Sequence, residues 1–235
     1  MTIDVVLEKD LQWREAELAS LKRLAINATS NSVTHQSLLR ALWALLYAHY
    51  EGFTKFAWDT LLDHIQGEKL TKAQLHEQFA LLALEEDFSK LRSGLDARSI
   101  WQFFHNELPA ALSAEVEFPE KFRPTTKSNL WPEVFELQIT RLGIHCDELH
   151  KSWARIKTLV SRRNEIAHGK SMTIASVAEY NAYETPTLCL MHELAIKAIE
   201  TIDLKQYRQE ATGLVKGAIP LNLLPAVGTV TDPTS

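Results

Sequence analysis

The chain is poor in residues that would cross-link it. Its two cysteines, Cys146 and Cys189, lie far apart without CxxC spacing, which excludes a disulfide framework and a zinc ribbon and points to a reducing, cytoplasmic compartment. The start, MTIDVVLEKD, carries acids and lacks the basic opening and apolar core of an export signal. The most apolar run, LLRALWALLYA, is too short to cross a bilayer, so a soluble protein without a membrane partner is expected. Positive charge is not in excess either. A formal net charge of -5 excludes coating of nucleic acid by bulk attraction, and any RNA must bind at a local patch. There is no Gly-rich phosphate loop, no internal repeat and no convincing strand alternation, and HEQF at His76 lacks the second histidine of a zincin motif.

What is present is helical periodicity. The 46% of hydrophobic residues in 235 suffices for a sizeable core. Leu11, Leu18, Leu21 and Leu24 predict a helix with one buried face over about 7–28, ended by NATSNS. From about His35 to Ile65 apolar residues surround the whole circumference, from Leu38 and Trp43 to Trp58 and Leu62, which predicts a long central helix. Thr71 and Gln74 have capping-box spacing and predict a shorter helix through Phe79 and Leu84. Two short helical candidates around Ile100 to Leu108 precede AEVEFPEKFRPTTKSN, read as a long surface loop. Pro132 opens a helix that Gly143 ends; Asp147 is placed to cap a helix over 148–168, closed by Gly169; a last helix over about 174–204 is kinked or divided at Pro186. Residues 1–208 thus read as one all-α domain, a helical bundle with additional short helices. The Gly- and Pro-rich residues 209–235 read as an extended or flexible tail.

The segment Arg162-Arg163-Asn164-Glu165-Ile166-Ala167-His168-Gly169 closes its helix. Basic residues in a last turn followed by glycine also make an ordinary helix end, since they complement the dipole and allow the chain to turn. Helical geometry argues for more. Leu149, Trp153, Ile156, Val160 and Ala167 form one apolar stripe, with Arg163 and Asn164 on or within its border, where polar groups need partners. Asn164 and His168, four apart, share an edge, whereas Arg162 falls with Lys151 and Arg155 on the opposite, solvated face.

Arg163, four residues, then His168, with Asn164 after the Arg and Ala167 before the His, resembles the RNxxAH form of the RX4-6H motif of HEPN domains. The stretches Leu46-Tyr47-Ala48-His49-Tyr50-Glu51-Gly52-Phe53, Ser128-Asn129-Leu130-Trp131 and Ala178-Glu179-Tyr180 are similar to stand-alone bacterial HEPN proteins, so that the resemblance covers about residues 30–205. It implies an HEPN-like bundle, a homodimer that brings two motifs together, and metal-independent cleavage of RNA by a toxin or antiviral effector, without cofactor or metal.

The residues suit that chemistry. Attack by the neighbouring 2′-hydroxyl needs a base, charge stabilisation at phosphate and an acid for the leaving oxygen. His168 exchanges protons near neutrality, Arg163 presents a fork of donors, and Asn164 orients the histidine or the phosphate. One histidine serves poorly as base and acid at once, so two copies each supplying His168 is the expected arrangement. Glu51 is the fourth catalytic candidate, positioning Arg163 or His168; the competing reading pairs it with Lys55 one turn on. Arg155, Arg162 and Lys170 are the candidate RNA contacts. His145, Cys146, Asp147 and His150 are metal-capable, but a helix cap and exposed side chains explain them as well. The Trp residues at 43, 58, 101, 131 and 153 are read as core fillers.

Some relatives carry a tyrosine two residues after the motif histidine as a target for nucleotide attachment. Lys170 stands there, which leaves a protein inhibitor such as an antitoxin, or a neighbouring sensor, as the expected regulator. The competing functional reading is a non-catalytic HEPN module that binds RNA, nucleotide or a protein in the same cleft.

Overall fold

A computed structural model describes residues 2–209, and the expectation about the tail lies, apart from Gln209, outside them. Helix α2 (Val33–Gly67) forms the axis. Leu39, Leu42, Trp43, Leu46, Tyr50, Phe53, Trp58 and Leu61 are all buried along it, because apolar residues cover most of its circumference and leave only a narrow exposed strip through Ala41, Ala48 and Lys55. Ser32 caps it by accepting from the His35 N–H. Against it pack α1 (Ile3–Asn27), α8 (Asp147–Ala167) and α9 (Val177–Asp203).

Helix α1 starts four residues before its expected position and buries Ile3, Leu7, Leu11, Arg14, Leu18 and Ala25, the i, i+4, i+7 seam of a packed helix. Leu24, expected in that seam, is 57% exposed, and Arg14 occupies a core position instead. Helix α9 runs unbroken through Pro186, so the expected division is absent; proline removes one N–H, and the buried neighbours Glu184, Thr187 and Leu190 hold the turn.

Between α2 and α8 come α3 (Glu77–Ala83), α4 (Glu85–Arg92), α5 (Ala97–Gln102), a π-helical turn Phe103–Glu107, α6 (Leu108–Ser113) and α7 (Pro132–Arg141). The Thr71–Gln74 pair caps a 3-10 turn and not the helix itself: the Thr71 N–H donates to Gln74 Oε1 at 2.8 Å, and α3 begins three residues later. Trp101, read as core, is 65% exposed, whereas Trp43 and Trp58 are buried as expected. The stretch 114–129 is not a free surface loop. Val116 and Phe118 are buried, the Phe118 N–H donates to Gln66 Oε1 at 2.9 Å, and Arg123 reaches Asp63 at 2.6 Å, lacing the segment over the end of α2. Among the described residues no strand forms beyond isolated bridges, and no helix is long and apolar enough to cross a membrane. The all-α expectation stands.

Candidate functional site

Helix α8 carries the motif, and its start is fixed from another helix. Asp147 does not cap it; the Glu193 carboxylate on α9 does, accepting from the N–H groups of Asp147 and Glu148 at 2.9 and 2.8 Å. An acid at this end also meets the positive pole of the helix. Midway, Trp43 Nε1 donates to the Leu159 carbonyl at 3.1 Å. At the far end Gly169 adopts φ +71°, its N–H donates to the Ile166 carbonyl, and the Lys170 N–H donates to the Glu165 carbonyl at 2.9 Å. This is a Schellman closure, which satisfies carbonyls that would otherwise be orphaned and sets His168 as the last residue before the chain turns.

Arg163 leans inward onto α2. Its guanidinium lies 3.8 Å from the centre of the Tyr47 ring, and Nη2 is 3.7 Å from Glu51 Oε2. Stacking on a partly desolvated ring is worth about 1 kcal/mol, and the ion pair is too long to be a hydrogen bond, so Arg163 is steadied without being consumed. Its Nε is buried without a partner. The Tyr47 hydroxyl accepts from the Leu130 N–H at 2.9 Å, which brings the 128–131 approach beside the motif. Burial raises the Tyr47 phenol above its ordinary pKa, with the Leu130 N–H pulling the other way and the Glu51 charge adding to the rise. It is therefore neutral at physiological pH.

The two readings of Glu51 are now separable. Lys55 pairs with Asp59 at 2.9 Å and leaves Glu51 to Arg163. Gly52, beside Glu51, admits the Arg14 guanidinium closely: a Cβ at Gly52 would meet Arg14 Nη1 at 3.0 Å. Arg14 is salt-bridged to Asp10 at 2.6 Å and faces His49 Nδ1 at 3.4 Å, so a buried polar cluster backs α2 on the side away from α8.

His168 is exposed and Asn164 half-buried. Five residues span about 140° of helix, so Arg163 and His168 of one copy point to different sides of α8. Arg162, expected on the solvated face, is instead packed: it lies 5.0 Å from the Trp43 ring centre and is salt-bridged to Glu179. Its aliphatic stem and planar head suit an aromatic wall better than open solvent. Arg155 is exposed as expected, and Lys170 is exposed with its ammonium 3.9 Å from Glu165. His145 pairs with Asp147 at 3.1 Å and His150 approaches Glu136 at 3.7 Å; burial pushes the Cys146 thiol up to about 12. Among the described residues no three metal-capable side chains come together.

Sequence reasoning missed Arg40, which sits two turns before Tyr47 on α2 and donates from Nη2 to the Lys170 carbonyl at 3.4 Å. Its only signal was its register with Tyr47 and Glu51.

A bundle built on one long helix, with RNxxAH closing the next-to-last helix against it, defines an HEPN module. The model of the MAE_28990-like HEPN family matches residues 4–207, and the chain belongs to that family. No curated protein and no solved structure matches the chain.

Proposed function

We propose that this protein is a metal-independent endoribonuclease that acts as a homodimer in toxin or phage-defence biology, held in check by an antitoxin or a sensor protein. The observation that carries the reading is a steadied cation and an exposed histidine within one motif: Arg163 stacked on Tyr47 opposite Glu51, and His168 exposed at the helix end. Arg163 neutralises the phosphate and stabilises charge as it builds in the transition state. His168 of one copy takes the 2′-hydroxyl proton; the oxygen attacks the adjacent phosphorus and the P–O5′ bond breaks. The second copy's His168 protonates the leaving 5′-oxygen, giving a 2′,3′-cyclic phosphate and a 5′-hydroxyl. Asn164, at the same edge as His168, orients the ring or the phosphate, and Glu51 holds Arg163. Arg155, Arg162 and Lys170 bear on the flanking strand, Arg162 only after exchanging Glu179 for a phosphate.

One observation favours a second reading. Glu51 and Glu179 neutralise part of the positive charge at the motif, as suits a non-catalytic module that recognises RNA, nucleotide or a protein.

The test is cleavage of mixed RNA and transfer-RNA pools, with and without EDTA, by the wild type and by His168→Ala, Arg163→Ala and Glu51→Gln. Cleavage that survives EDTA, is lost in the first two variants and falls about tenfold in the third fits positioned general acid–base chemistry. Excess His168→Ala protein should suppress the wild type beyond simple dilution if two copies share the site. A folded wild type that cleaves neither pool leaves the binding module.

A further inference from the structure

The face of α2 that meets α8 continues past Tyr47 to Arg40 and Gln36, and there two polar groups lack partners. Arg40 is half-buried, its Nε is shielded from solvent with nothing to donate to, and among the described residues it has no carboxylate partner. Its neighbours differ: Arg162 has Glu179, Arg163 has Glu51 and Lys170 has Glu165. Among the described residues its one hydrogen bond is to the Lys170 carbonyl, which spends a single Nη2 donor and ties the guanidinium to the turn two residues after His168. One turn along the same face, Gln36 Oε1 is likewise buried without a donor.

A shielded Nε–H without an acceptor is costly, as is a buried amide oxygen without a donor, although the terminal nitrogens of Arg40 stay at the surface. Neither atom is open to solvent as the side chains stand, so a ligand that relieves both turns them outward and brings an anionic oxygen for Arg40 and a hydrogen-bond donor for Gln36. A ribose-phosphate unit carries both, and its 2′-hydroxyl distinguishes RNA from DNA. We infer that Arg40 and Gln36 form a ribose-phosphate subsite beside the Arg163–His168 motif, holding a non-scissile phosphate and a 2′-hydroxyl of a bound RNA strand. The inference rests on the ribonuclease reading for the strand's identity. Arg40 anchors the strand by charge and sets its register over the motif; Gln36 supplies the preference for ribose.

The test is binding of a fluorescent single-stranded RNA, and of DNA of the same sequence, to full-length protein in the His168→Ala background over a salt series. Arg40→Ala should weaken both ligands roughly tenfold and reduce the slope of log affinity against log salt by about one, while Arg40→Lys retains the slope. Gln36→Leu should leave DNA affinity unchanged and narrow the RNA-to-DNA ratio roughly fivefold. Circular dichroism checks each fold, with Arg40→Gln replacing Arg40→Ala if the latter does not fold. Unchanged affinity and slope in the Arg40 variant, an unchanged RNA-to-DNA ratio in Gln36→Leu, or no binding of RNA at all would overturn the inference. Binding is read without turnover, so a wild type that binds through Arg40 yet cleaves nothing sinks the ribonuclease reading alone.

Discussion

The Arg163 guanidinium lies 3.8 Å from the centre of the Tyr47 ring, and the hydroxyl of that same ring holds the Leu130 N–H at 2.9 Å. One side chain thus supports the motif arginine with its face and fixes the approach segment with its edge. Tyr47→Phe separates the two roles. It should keep the stack and the activity but leave the Leu130 N–H unpaired, at a cost of about 1–3 kcal/mol in urea unfolding. Tyr47→Leu should lose both stability and cleavage. Equal stability of Tyr47→Phe and wild type would mean that the hydrogen bond contributes nothing.

Glu193 and not Asp147 caps α8. Glu193→Ala should therefore destabilise the protein by about 1–2 kcal/mol, in the range of a lost helix cap, whereas Asp147→Ala stays within about 0.5 kcal/mol. Thermal melts of the two variants side by side decide it; the reverse order would restore Asp147 as the cap.

Gly52 faces Arg14 Nη1, with 3.0 Å available to a Cβ. Alanine favours a helix over glycine by about 1 kcal/mol, but here it presses on a guanidinium held by Asp10 and His49. Gly52→Ala should be neutral or destabilising in the wild type and stabilising by about 1 kcal/mol in an Arg14→Ala background. A double-mutant cycle in which Gly52→Ala has the same effect in both backgrounds would show that the two positions do not interact.

Stability should fall in mild acid through His49. Only 3% exposed, its imidazole is held below the ordinary value by burial first and by the Arg14 charge second, with Glu17 and Asp10 pulling it back up. Between that lowered value and the unfolded value near 6.5 the unfolded chain binds more protons, so stability rises with pH in this window. The contribution is complete above about pH 6.5 and is lost as pH falls through the folded value. Urea unfolding at about pH 7.5 and 5.5 should show a steeper loss in wild type than in His49→Gln; parallel losses would remove His49 from the account.

The sequence made the axis of the fold and the motif legible for local reasons. The apolar residues that surround α2 mark it as central, Gly143 and Gly169 mark two helix ends through their positive φ, and the spacing of Arg163 and His168 survives any packing. Contacts between residues distant in the chain were illegible. Glu193 leaves no trace near Asp147, Glu179 none near Arg162, and Arg14 reads as one more charge on an amphipathic helix until α2 presents Gly52 and His49 to it. Val116 and Phe118 were masked by the acids and prolines around them, since a two-residue plug has no period.

Helix α8 is pinned at its first turn by Glu193, at its middle by Trp43 and near its end by Arg162 against Glu179, and the pins come from α2 and α9. The motif therefore has no hinge of its own. Its amides should exchange with deuterium at the rate of the whole bundle, and denaturant should extinguish the site only where it melts the core, without an earlier local transition.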